Sequence, residues 1–114
     1  MKVYIAGPIT GHPDYKNWFK MAEEIFTKHG ASVMNPAVLP EGFTDAQYMA
    51  IGREMLLACD TIALLPGWKD SKGANLEYHL ALYHGKNILE FQYLTECGNY
   101  RLVSHIFTPN KNNH

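Results

Sequence analysis

The sequence is short of cysteine, of charge and of long apolar runs, and each shortage excludes a class of protein. Two cysteines among 114 residues, Cys59 and Cys97, supply neither a disulfide framework nor a Cys-x-x-Cys metal pair. Charged residues make up 18% of the chain, and ten Lys and Arg against eleven Asp and Glu leave a net charge of −1. That balance offers no basic surface to a phosphate backbone, so no nucleic-acid polymer is expected as a partner. The longest apolar run, around Thr61 to Pro66, is far too short to span a bilayer. Met1-Lys2 leads straight into a strand-like run and a Gly-Pro loop, with no signal-peptide core or cleavage site between. A cytoplasmic protein with no membrane partner is the expectation. Six histidines show no metal-ligand spacing, since His79 and His84 are five apart and diverge on a helix. No metal and no cofactor are expected.

What is present is enough for a core. Apolar residues reach 46%, sufficient for one compact domain over residues 1–108 with a polar tail at 109–114. Lys2 to Ala6 reads as a buried strand stopped by Gly7-Pro8. Trp18, Met21, Ala22, Ile25 and Phe26 form the apolar stripe of a helix that Asp14 can cap and Gly30 can stop. Ala31 to Met34 reads as a second strand. Thr44-Asp45-Ala46-Gln47 has the form of a capping box opening a helix with Tyr48, Ile51, Gly52, Met55 and Cys59 on one face. Thr61 to Leu65 is a third strand, apolar throughout as a central strand should be. A helix follows from Ser71–Gly73 to His84, then a fourth strand from Asn87 to Phe91. Beyond it, Tyr93 to Phe107 is apolar without a clean period and fits a last strand, a helix or an interface.

Strand and helix alternating in this way require parallel strands and right-handed crossovers. The fold class expected is therefore α/β, a three-layer, open, doubly wound and mostly parallel sheet of four or five strands, flavodoxin- or Rossmann-like. Such sheets bind ligands past the carboxyl ends of their strands. Two unusual loops fall there: Gly7-Pro8-Ile9-Thr10-Gly11 after strand one, and Pro66-Gly67-Trp68 through Gly73 after strand three. The first is not GxGxxG, and Gly85-Lys86-Asn87 is not a P-loop. What remains is a loop with free amides and the Thr10 hydroxyl, suited to a phosphate or sugar hydroxyl; a plain tight turn explains it as well.

Four further residues are candidates for chemistry, each with a plainer reading. Glu77 is expected in the first turn of the third helix, ionised by the dipole there, as a nucleophile or simply as a capping residue. Tyr4 in mid-strand can point its hydroxyl into the crevice or bond within the core. Trp68, expected exposed in its loop, can stack on a base or close an interface. Arg53 can reach an anionic ligand or stay solvated.

Taken together these residues resemble the nucleoside 2-deoxyribosyltransferase superfamily. The resemblance rests on Val3-Tyr4-Ile5-Ala6-Gly7-Pro8-Ile9, on Ala58-Cys59-Asp60 ahead of strand three, and on Ser71-x-Gly73-Ala74-x-x-Glu77. It spans roughly residues 2 to 91 and is closest to small deoxyribosyltransferase-like and 2'-deoxynucleoside 5'-phosphate N-hydrolase-like proteins of phage and bacteria. The resemblance implies that Glu77 attacks C1' of the sugar, that Asp60 assists the leaving base and that Tyr4 orients the nucleophile. It implies that Gly7 to Gly11 and Ser71 hold a 5'-phosphate; Arg53, Trp68, Asp70 and Gly73 are expected at the substrate beside them. Two departures stand out: Ser71 occupies the position where transferases commonly carry Asp, and Tyr78-His79 follow Glu77 in place of small residues.

The expected function is cleavage of the N-glycosidic bond of a nucleoside or its 5'-monophosphate, by hydrolysis or base transfer. The alternative is a non-catalytic binder of a nucleotide or ADP-ribose-like molecule; a third reading is a structural module using Trp68 and the C-terminal segment as interface. A chain this small, with an aperiodic aromatic end, is also expected to form a homodimer or higher homo-oligomer.

Overall fold

The structure is a computed structural model that describes residues 1–94 and 99–105. Its organising strand is β1 (Lys2–Ala6), whose four buried residues alternate between two cores. Period-two pleating sends Val3 and Ile5 to one side of the sheet and Tyr4 and Ala6 to the other. On the first side they meet Phe19, Ala22 and Phe26 of α1 (Tyr15–Lys28). On the second they meet Leu56 of α2 (Asp45–Leu57) and Ala74 and Ala81 of α3 (Lys72–Tyr83). The remaining strands are β2 (Ser32–Met34), β3 (Thr61–Leu64), β4 (Asn87–Leu94) and β5 (Asn99–His105).

Spatial order is β2-β1-β3-β4-β5. The first four strands are parallel, and β5 returns antiparallel along β4 from Leu94↔Asn99 to Ile88↔His105. The α/β class, the doubly wound order and the five strands agree with the expectation from sequence. Because β1 is followed on one side by β2 and on the other by β3, the loops leaving these two strands part at a switch point between their carboxyl ends. β4 runs three residues past the expected Phe91, and the aperiodic segment after it is strand β5 as far as residue 105. The expected tail at 109–114, and Cys97, lie outside the described residues.

Local signals explain most boundaries, with two differences. The capping box at Thr44 is formed: its hydroxyl oxygen accepts from the Gln47 amide at 3.1 Å and the Gln47 side chain accepts from the Thr44 amide at 2.9 Å. Asp14, by contrast, precedes α1 without capping it through its side chain. Its backbone (φ −95°, ψ 13°) lies outside the extended region in which a side-chain oxygen reaches the N2 and N3 amides. In α1 the buried stripe is Phe19, Ala22 and Phe26 with Tyr15 at its margin, and Trp18 is 36% exposed. The phase is set by Phe19, one residue further round the helix than the expected Trp18.

Candidate active site

The pleat of β1 and the start of α3 together make one buried polar contact. Ser71 caps α3, its hydroxyl oxygen accepting from the Ala74 amide at 3.2 Å. With Lys72 as the first helical residue, Ala74, Glu77 and Ala81 follow on the buried side at i, i+3 and i+7. Two of these are alanines; the third is a carboxylic acid. Tyr4, facing the same way from β1, donates from Oη to Glu77 Oε2 at 2.6 Å. Tyr4 is 1% exposed and Glu77 8%.

This placement corrects the expected electrostatics of Glu77. It is the sixth residue of α3 and not in the first turn, where unpaired amides and the dipole favour an ionised acid. Burial instead pushes its carboxyl up to about 7, opposed by the hydrogen bond from Tyr4, which favours the charged form. The Tyr4 phenol is driven well above its ordinary value, first by burial and then by the neighbouring Glu77 charge, so it remains a donor.

Glu77 is buried but not sealed. It lines an open groove of about 390 Å³ between α2 and α3, with Ala46, Met49, Ala50, Arg53, Leu76 and Leu80. The walls are mostly apolar, and Arg53 is the cation at the rim. A larger hollow of about 660 Å³ lies against α1 and the 36–41 loop. Its acids Glu24 and Glu41 are exposed, and Glu23 accepts from Asn35 Nδ2 at 2.8 Å. With no buried acid of its own, it lacks the feature that marks the groove as chemical.

The two loops singled out from the sequence meet at the switch point. Gly7 lies so close to β3 that a Cβ there would stand 2.8 Å from Leu65 Cβ, and Gly67, at φ +86°, packs beside Pro8. Ile9, Thr10 and Gly11 continue the first loop on the surface, Gly11 in a left-handed turn (φ +79°). Asp70 and Ser71 end a 3₁₀ turn (Trp68–Asp70) ahead of α3, and Gly73 passes under Met49 of α2, a Cβ there falling 3.3 Å from its sulfur. The loop residues thus gather at the carboxyl ends of β1 and β3, on the side from which α3 begins.

Two expected site residues differ from the expectation, Asp60 by its place and Trp68 by its burial. Asp60 stands at the amino end of β3, beside the start of β1 and so at the opposite end of the sheet from the Gly7 loop. Its oxygens accept from Thr61 Oγ1 at 2.7 Å and from the Lys2 amide at 3.1 Å. The Thr61 hydrogen bond, foremost, holds its carboxyl below the usual range, and its bond to the Lys2 amide ties the starts of β1 and β3 together. Trp68, expected exposed, is 5% exposed. Its Nε1 donates to Glu90 at 2.9 Å, and its ring lies 4.6 Å from that of Tyr78, so the apolar face meant for a base is spent on packing. A 3₁₀ turn after Gly67 folds it back onto the sheet, which loop composition alone did not reveal.

Sequence reasoning also passed over Met49, Leu76 and Leu80, and over Gly52, the helix residue facing Glu77. Only Gly52 carried a signal: glycine inside a helix is disfavoured and asks for a packing reason.

Among solved structures, the chain is similar to a 2-desoxiribosyltransferase from Leishmania mexicana. The TM-score is 0.64 and the identity 20%, over 93% of this chain and 79% of that one. The fold is thus deoxyribosyltransferase-like. No helix among the described residues is long and apolar enough to cross a membrane. No curated protein matches the sequence. The family described as a domain of unknown function, DUF4406, matches residues 1–90, and the chain belongs to that family.

Proposed function

We propose that this protein cleaves the N-glycosidic bond of a nucleoside or nucleoside 5'-monophosphate, with Glu77 as nucleophile and Tyr4 holding it. The observation that carries this reading is the buried 2.6 Å bond from Tyr4 Oη to Glu77 Oε2 beside an open groove. Tyr4 occupies one carboxylate oxygen and leaves Oε1 for the sugar. In the step proposed, an Oε1 lone pair bonds to C1' as the C1'–N bond breaks and its electron pair leaves with the base. The base takes its proton from water at the groove mouth, because Asp60 lies at the other end of the sheet. Water then opens the glycosyl ester, or a second base displaces Glu77. The Gly7–Gly11 loop and Ser71 are the groups proposed for a 5'-phosphate. The likeness to a protein described as a 2-desoxiribosyltransferase supports the substrate class.

The test is base release, by chromatography, from ribo- and deoxyribonucleosides and their 5'-monophosphates, each run with and without a second free base. Release identifies the substrate, and incorporation of the second base separates transfer from hydrolysis. Silence across the panel from folded protein overturns the reading in favour of a nucleotide or ADP-ribose-like binder.

The pH dependence has a definite sign. A carboxylate nucleophile works only when ionised, so kcat/KM, which follows the free enzyme, should rise with pH through about 7, the value to which burial brings Glu77. In Tyr4→Phe the stabilising donor is gone, so the midpoint should move to higher pH. A rate profile flat from pH 5 to 9 would remove Glu77 from the chemistry.

We also propose self-association, since Ile51, Leu76 and Tyr83 on α2 and α3 are 37%, 52% and 85% exposed. Light scattering should give a mass above the 12.9 kDa of one chain; the monomer mass would contradict it.

A further inference from the structure

We infer that Gly52 is a positioning residue for Glu77: the side chain it lacks is the space in which the Tyr4 hydroxyl and the Glu77 carboxylate meet. The inference rests on the role proposed for Glu77. The geometry is direct. A Cβ built on Gly52 would stand 2.6 Å from Glu77 Oε2 and 2.8 Å from Tyr4 Oη, closer than real Cβ atoms approach. Neither neighbour is the loose end of an exposed chain. Tyr4 is held in β1 between paired strands, and Glu77 is fixed by α3 on one side and by its bond to Tyr4 on the other. Gly52 is itself buried in the middle of α2, where φ is ordinary and no turn calls for glycine. Alanine is the better helix former at such a position. The backbone therefore gives no reason for glycine, and the contact with the acid does.

The helix backbone at Gly52 consequently closes one side of the carboxylate to water and leaves the groove side open. The charged and titratable groups facing Glu77 are Tyr4 from β1 and Arg53, which lines the same groove from α2. An added methyl group must push Glu77 off Tyr4 and toward the groove, or push α2 off the sheet.

The test compares wild type with Gly52→Ala, reading the Glu77 carboxyl by carbon NMR titration of protein labelled at glutamate, beside base-release kinetics. Displacement into the groove hydrates the acid, which lowers its midpoint, and takes away the Tyr4 donor, which raises it; burial is the larger cause, so the midpoint should fall. Turnover should fall by roughly 100-fold in kcat with KM within about threefold, as for a misplaced reacting group. A folded Gly52→Ala with either the wild-type midpoint or the wild-type kcat overturns the inference. If the wild-type protein releases no base, the proposed function fails, and the midpoint alone decides Gly52. If Gly52→Ala does not fold, Gly52→Ala/Tyr4→Phe/Glu77→Ala decides against Tyr4→Phe/Glu77→Ala: with both oxygens gone, folding like that of the double variant assigns the conflict to them, and continued failure overturns the inference.

Discussion

Glu77→Gln is expected to abolish base release, by about a thousandfold or more in kcat, while leaving the protein folded and its ligand affinity nearly unchanged. The amide has almost the shape of the acid and still offers Tyr4 Oη an oxygen to donate to, so the 2.6 Å contact survives. It cannot carry the negative charge that bonds to C1' or stabilises an oxocarbenium-like state. Glu77→Ala should lose as much activity and also leave the Tyr4 hydroxyl, in a 1%-exposed residue, without this acceptor. That costs about 1–3 kcal/mol, which makes Gln the cleaner probe. Chromatographic base release, calorimetric ligand binding and thermal unfolding on both variants separate these effects. Turnover persisting in Glu77→Gln would refute the covalent role; binding without turnover in wild type would mark a sequestering protein.

Trp68→Ala is expected to produce the largest loss of stability, about 3–5 kcal/mol, the usual range for truncating a buried aromatic. The ring is 5% exposed, packs 4.6 Å from Tyr78, and ties the turn ahead of α3 to β4 through its bond to Glu90. For a domain of this size the loss corresponds to a fall in Tm of about 15 °C. Trp68→Phe keeps most of the ring area and should recover most of it. Thermal denaturation followed by circular dichroism reads both. Were Trp68 a stacking platform for a base, Trp68→Ala would instead keep its Tm and raise KM.

Much of the architecture follows from the linear order of residues. Alternating apolar strands and amphipathic helices, with glycine or proline at the joins, restrict the chain to a doubly wound sheet, because parallel strands need crossovers and crossovers are right-handed. The capping box at Thr44, the cap at Ser71 and the loops after β1 and β3 are local chemistry, settled within a few residues. Position on strand and helix made Tyr4 and Glu77 candidates, and the roles expected of them came from the family resemblance.

Tertiary structure decided where those residues sit and what they meet. Glu77 and Tyr4 are 73 positions apart, and only the pairing of β1 with β3 and the docking of α3 bring their oxygens together. Burial then reverses the electrostatics expected from position on the helix, because desolvation acts through every neighbour while the dipole acts only through the first turn. Asp60 and Trp68 show the same limit from the other side. A residue type at a motif position says nothing of which end of the sheet it occupies or whether a turn folds it inward. Gly52 was legible as an oddity in a helix, but its reason is a carboxylate 25 residues later in the chain, a separation that no helical period spans.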